Sequence, residues 1–246
     1  MKAKRPTKAQ RLSSTTINTL PQTIIENILC LLPIQEAART SILPTEWRYK
    51  WTTIPKLDFC SSTVPEIRTQ ENHVEWARKN RERRRKLFNA IPQVLLMHQG
   101  PIHEFSFDSI ANCDCFELDP IIFHLSRNHA VKKLKLAFNH HMSSYKLPLC
   151  AFSMHQLTDL DLRNVVIDHQ PIFSGFGSLR SLCLYYVKIS TKALLHLLSS
   201  CPSLKRFTLV SSHLNFILMG FLNVSEYCKL LQLGFIGCKD CTVSAT

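Results

Sequence analysis

The pattern of apolar and polar positions divides the chain into two differently organised parts. Across residues 20–59, LPQTIIENILCLLPIQEAARTSILPTEWRYKWTTIPKLDF, apolar residues recur every three or four positions and prolines cut the segment into three helix-sized pieces. In the first piece Ile24, Ile25, Ile28, Leu29 and Leu32 make one apolar stripe, Thr19 and Gln22 read as a capping box around Pro21, and Pro33 ends the run. The second piece, residues 35–43, offers Ala37, Ala38 and Ile42 for close packing. Pro44 ends it and can start the third, where Trp47 and Trp51 share a face four residues apart. About forty residues in short helices bury too little surface to be stable alone, so the stripe needs company: a cap on the domain that follows, or another polypeptide.

From residue 102 onward the period changes. L-x-x-L-x-L recurs as Ile102/Phe105/Phe107, Val131/Leu134/Leu136, Leu157/Leu160/Leu162, Leu179/Leu182/Leu184, Leu204/Phe207/Leu209 and Leu230/Leu233/Phe235. The central residues are separated by 29, 26, 22, 25 and 26 positions, close to the roughly 20 to 29 of leucine-rich repeats. This predicts an α/β solenoid of short parallel strands whose pattern residues point inward, because one repeat cannot bury its own apolar side. Residues 191–200 read as a helix on the return leg, with Ala193, Leu194, Leu197 and Leu198 inward. Residues 71–98 read as a helix with Leu87, Phe88, Ile91, Val94 and Leu95 as its buried stripe, interrupted by Pro92.

If the leucines are core, any recognition lies on the other strand face. Period-two alternation puts Glu104, Ser106, Lys133, Lys135, Asp159, Asp161, Ser181, Cys183, Arg206, Thr208, Gln232 and Gly234 there. Lys133, Lys135, Asp159, Asp161 and Arg206 are the target-contact candidates. In-register stacking would pair Lys133 with Asp159 and Lys135 with Asp161. A face of mixed sign suits a protein or peptide better than a polyanion, with a merely solvated face as the plainer alternative.

Composition narrows the options. The net charge is +12, yet residues 1–11 and the run Arg78 to Lys86 account for eleven of those charges. A nucleic-acid surface would spread cations over one face, so nucleic acid is a minor reading; the basic run is a solvated helix face, an import signal or an RNA contact. The amino-terminal segment lacks an apolar core and no stretch approaches the roughly 18 apolar residues of a membrane span, so we expect a soluble, unsecreted chain in the nucleus or cytoplasm with no membrane role. The ten cysteines then read as thiols buried as small hydrophobes, and the pairs Cys113/Cys115 and Cys238/Cys241 lack compact zinc spacing. No phosphate-binding loop, HExxH or GxSxG motif is present, and no catalytic residue, metal or cofactor is expected.

Taken in order, Leu20-Pro21, Ile28-Leu29, Leu32-Pro33, Ala38-Arg39-Thr40-Ser41, Trp47-Arg48-Tyr49 and Trp51 resemble the F-box of plant F-box proteins with leucine-rich repeats, the F-box/FBD/LRR family. VLLMHQGPIHEFSF and CPSLKRF resemble that family's entry into the repeats and its repeats. The resemblance implies a three-helix F-box at residues 19–60, after a basic tail at 1–18, followed by a helical linker at 61–100 and repeats at 101–246. It also implies a non-catalytic subunit that docks a Skp-type adaptor, and through it a cullin-RING ubiquitin ligase, while the repeats hold a protein target. Leu20, Pro21, Ile25, Ile28, Leu29, Leu32 and Pro33 would be the adaptor-facing anchors or their immediate support, and Trp47 and Trp51 the packing that orients the helices. Where relatives often carry Ser-Lys-Arg before the first Trp, this chain has Pro44-Thr45-Glu46, and Lys50 stands at a usually apolar position. Relatives often continue into an FBD module, whereas Thr246 follows soon after the sixth strand pattern, so we expect truncated repeats with an end prone to association. A repeat scaffold or decoy that binds its target without the ligase is the alternative.

Overall fold

A computed structural model describes residues 20–43, 47–60, 73–109, 116–128, 130–138, 145–168, 176–211 and 240–245. The amino-terminal unit contains α1 (Gln22–Leu29) and α2 (Ile34–Arg39), followed by single 3₁₀ turns at Thr40–Ile42 and Lys50–Thr53. Pro21 and Pro33 start the two helices, each at the position just outside, where the residue is extended and no side chain caps the turn. Thr19, the other half of the capping box expected around Pro21, lies outside the described residues, and what Gln22 makes within them is a clamp. Its amide donates to Glu26 and Thr53, while the Thr53 hydroxyl donates to Glu26 at 2.7 Å, fastening α1 to the second turn.

Of the expected third helix, Pro44, Thr45 and Glu46 lie outside the described residues; Lys50–Thr53 form a 3₁₀ turn, and the chain leaves it as a strand, β1 (Lys56–Cys60). The reason is visible in Ile54, Leu57 and Phe59, which carry the same I-x-x-L-x-F spacing as the later repeats and are all buried. The parallel sheet therefore begins at residue 56, before the segment expected to hold the repeats. It contains β1, β2 (Glu104–Ser109), β3 (Lys133–Phe138), β5 (Asp159–Arg163), β7 (Ser181–Tyr185), β9 (Arg206–Ser211) and β10 (Asp240–Ala245) in that order. Each neighbouring pair is parallel, with Leu57, Phe105, Leu134, Leu160, Leu182 and Phe207 sharing one register row. A second, three-stranded sheet joins β4 (Tyr145–Lys146), β6 (Val165–Ile167) and β8 (Lys188–Ile189) on the return legs.

The pattern residues from Ile102 through Leu209 are buried, as the periodicity predicts. The sixth expected pattern, Leu230 to Phe235, lies outside the described residues, and the strand beside β9 is β10, with Cys241 and Val243 in the rows of Phe207 and Leu209. Where β5 and β7 end, Asn164 and Tyr186 turn the chain with φ of 55° and 53°. Asparagine tolerates that left-handed conformation because its short side chain bonds locally, and here the Asn164 amide donates to the Phe138 carbonyl at 2.6 Å.

Among the described residues three helices cover the apolar side. The long α3 (His73–Met97) runs through Pro92 rather than breaking there. Pro92 faces solvent, while Leu87, Phe88 and Ile91 are buried and Val94 and Leu95 half-buried, offsetting the lost helical hydrogen bond. Phe88 packs on Phe107 of β2 at 5.5 Å between ring centres. Past its end the Gln99 amide donates to the Thr52 carbonyl, and a methyl group on Gly100 would meet the Thr53 carbonyl oxygen at 3.1 Å, so α3 is fastened to the turn that launches β1. Further along lie α4 (Asp119–Asn128) and α5 (Thr191–Ser199). In the latter, Ala193, Leu194, Leu197 and Leu198 point inward as expected, and the Ser190 hydroxyl caps the Ala193 amide. One contiguous apolar cluster extends from Ile25 to Leu209, so the amino-terminal helices and the repeats share a core.

Candidate functional site

Two surfaces are left after the core is filled. The first is on the amino-terminal unit, where the apolar stripe of α1 is split between two directions. Ile25 and Leu29 are 2% and 1% exposed and join Ile34, Ala37, Trp47 and Trp51 inside. Of the roles expected for them, inner support is the one their burial allows; direct contact with another protein is not. Ile28 and Leu32 remain 37% and 38% exposed, Leu20 and Pro33 are half-buried, and Pro21 is exposed. Sequence periodicity did not single out Leu31 or Leu43, and placed Ile42 in the packing. In the structure Leu31 is 84% exposed, Ile42 89% and Leu43 47%. With Ile24, six large apolar side chains within twenty residues therefore face solvent. Scattered exposed leucines are ordinary, but such a density on one small unit makes it the candidate interaction surface. Pro44, Thr45 and Glu46 lie outside the described residues.

The second surface is the outer face of the parallel sheet. The register sets Lys56, Glu104, Lys133, Asp159, Ser181 and Arg206 in one row across it, and Asp58, Ser106, Lys135, Asp161, Cys183 and Thr208 in the next. Lys133 is thus beside Asp159 and Lys135 beside Asp161, as expected, but the ion pairs form elsewhere. Lys133 binds Glu104 at 2.7 Å, on its other flank. Asp161 is taken by Arg163 of its own strand through two hydrogen bonds of 3.1 and 3.0 Å, which hold the guanidinium over the Tyr185 ring at 4.5 Å. Arg206 reaches across the small Ser181 to Asp159 at 3.5 Å. Arginine wins Asp161 because a planar fork matches a carboxylate with two bonds, whereas a lysine offers one point charge.

These contacts tune the charges. The hydrogen bond that Lys133 donates to Glu104 raises its ammonium above the usual value, and those that Arg163 donates to Asp161 do the same for the guanidinium. Burial lifts the Asp108 carboxyl, with Asp58 adding to the shift and Lys135 and Arg163 opposing it. Across β1 to β9 the outer face carries five cations and five carboxylates, so it is electrostatically self-compensated. Among the described residues no group of three His, Cys, Asp or Glu could hold a metal ion, and no helix is long and apolar enough to cross a membrane. Of the basic run, Lys79 pairs with Glu75 and Lys86 with Glu82 along α3, and Arg78, Arg81, Arg83 and Arg85 are exposed.

A parallel solenoid with a small helical unit at its start defines a leucine-rich-repeat protein. The family model described as "FBD-associated F-box protein At5g56370, LRR repeats" matches residues 121–243. The chain belongs to this family of plant F-box/FBD/LRR-repeat proteins. Among curated relatives from Arabidopsis thaliana, F-box/FBD/LRR-repeat protein At1g13570 is 36% identical over 193 residues, covering 78% of this chain and 43% of the relative. FBD-associated F-box protein At5g56370 is 28% identical, covering 79% and 43%, and F-box/FBD/LRR-repeat protein At5g56420 is 25% identical, covering 77% and 42%. The chain thus spans less than half the length of these relatives.

Proposed function

We propose that residues 19–60 are an F-box that docks a Skp-type adaptor and thereby a cullin-RING ubiquitin ligase, and that the repeats hold the protein to be ubiquitinated. The observation that carries this reading is the division within the amino-terminal unit: Ile25 and Leu29 already fill the core, yet Ile24, Ile28, Leu31, Leu32, Ile42 and Leu43 stay in water. Covering several such side chains, at about 1.5 to 3 kcal/mol for each fully buried, can outweigh the ordering and rigid-body costs of association. The family names of the relatives support the same assignment. The contribution to ubiquitination is effective concentration: the subunit is non-catalytic and keeps a target near a ligase that other chains supply, in the nucleus or cytoplasm.

Co-purification with a Skp-type adaptor tests the docking half. Wild-type chain should retain the adaptor, and Ile28→Asp, which sets a charge among the exposed apolar side chains, should lose it while unfolding at an unchanged temperature. Equal recovery with both would reject adaptor docking and favour a repeat scaffold working without the ligase.

A further inference from the structure

On the outer sheet face cations and carboxylates balance, but its strand-entry rim is different. One residue before the aligned starts of β3, β5 and β7 lie Lys132, Thr158 and Arg180, tied by repeating backbone bonds in which Lys132 O accepts from Thr158 and Asp159, and Thr158 O from Arg180 and Ser181. These three residues, with Gln156, Gly177, Ser178 and Ser203, line an open groove of about 360 Å³. No lining residue is acidic. Among the described residues neither Lys132 nor Arg180 has a carboxylate within 4 Å, and the side chains of Gln156, Ser178 and Ser203 make no hydrogen bond. The nearby carboxylate of Asp159 is already occupied by the Thr158 hydroxyl at 2.7 Å and by Arg206.

We propose that this rim groove binds a phosphorylated side chain of the target protein, held between Lys132 and Arg180. Two strand spacings separate these residues, about 10 Å between backbones, so their long side chains can converge on one dianion. Three oxygens carrying close to two charges can use both cations and the neutral donors of Gln156, Ser178 and Ser203 together, more than a carboxylate with two oxygens and one charge can. The inference rests on the reading that the repeats bind a protein target, and it supplies that target's chemistry.

The test is an amide chemical-shift titration of the whole chain with the peptide Gly-Ser-Gly-pSer-Gly-Ser-Gly. Saturable shifts at Gly177, Ser178 and Arg180 are expected, and Lys132→Gln and Arg180→Gln should each weaken binding by about three- to tenfold. Gly177→Asp is a second variant: a Cβ there meets no atom within 4 Å, so the fold accommodates it while a carboxylate enters the groove, and binding should vanish. Absence of shifts with the phosphopeptide, or affinity unchanged in all three variants, overturns the proposal. So does equal affinity for the Ser or Asp peptide, for inorganic phosphate, which would make this a free-anion site, or for an oligouridylate, which would make it a nucleic-acid site. Adaptor co-purification reads different residues. Its failure with the titration intact would leave a phosphopeptide-binding scaffold outside the ligase, and the reverse would leave an adaptor-docking chain whose rim has no such ligand.

Discussion

Leu29 and Leu31 are two positions apart and chemically identical, yet they sit in opposite environments. Leu29 is 1% exposed, wedged in the core shared by α1, α2 and the start of the sheet, so Leu29→Ala removes buried carbons and leaves a cavity, at a cost of about 2 to 5 kcal/mol. For a domain of this size each kcal/mol lowers the melting temperature by about 2 to 4 °C, so a shift of roughly 4 to 20 °C is expected. Leu31 is 84% exposed, so Leu31→Ala should change stability by less than about 0.5 kcal/mol. If Leu31 is covered on docking, the same truncation forfeits about 2 kcal/mol of apolar burial, which is about thirtyfold in Kd. Thermal unfolding by circular dichroism and calorimetric titration with a Skp-type adaptor read the two effects separately. The reasoning fails if Leu31→Ala melts as early as Leu29→Ala, which would make Leu31 core, or if it melts normally and binds the adaptor as tightly as wild type.

Asp108→Asn should raise the urea midpoint at pH 7. Burial places the folded carboxyl above its ordinary 3.8, so this group favours the folded state in acid and that advantage is lost as pH rises through the folded value. The gain in the variant should fade below about pH 3.8, and a lower midpoint at pH 7 would refute the assignment. The Cys201 thiol is buried, donates to the Leu197 carbonyl at 3.1 Å, and is pushed up to about 12 by loss of solvent. It should therefore resist iodoacetamide at pH 8.5 in native protein and react after denaturation, as read by peptide mapping; its contribution to stability, complete below the unfolded thiol value, should decline as pH rises toward 12. Prompt native labelling would show that the return-leg helix opens readily.

The repeats were legible because a parallel strand with one covered face repeats its apolar positions at a fixed spacing; five of the six expected patterns are such strands, and the sixth lies outside the described residues. The two ends of the sheet were harder to read, each for its own chemical reason. At β1 the same spacing, Ile54, Leu57, Phe59, is present but contains Pro55 and follows a run of helical spacing, which masks the change of period. The proline is tolerated because it precedes the strand, where its carbonyl accepts from both His103 and Glu104 and no amide is demanded. At β10 the row is kept by Cys241 and Val243, and a small thiol at a leucine position does not stand out as a repeat residue in the sequence pattern.

The binding surfaces were less legible than the fold, because which side of a short helix meets water is a tertiary fact. Ile25 and Ile28 belong to one stripe by spacing, yet the former is buried in the cluster that also holds Ile34 and Trp51, and the latter stays partly in water. The ion pairs show the same limit: register puts Lys135 beside Asp161, but local geometry gives that carboxylate to Arg163, two residues along its own strand. A partner that reads this face therefore meets charges largely satisfied within the sheet, and it must either displace those pairs or bind beside them. The strand-entry rim, where Lys132 and Arg180 have no such internal claimants among the described residues, offers an anionic partner the smaller desolvation and displacement cost.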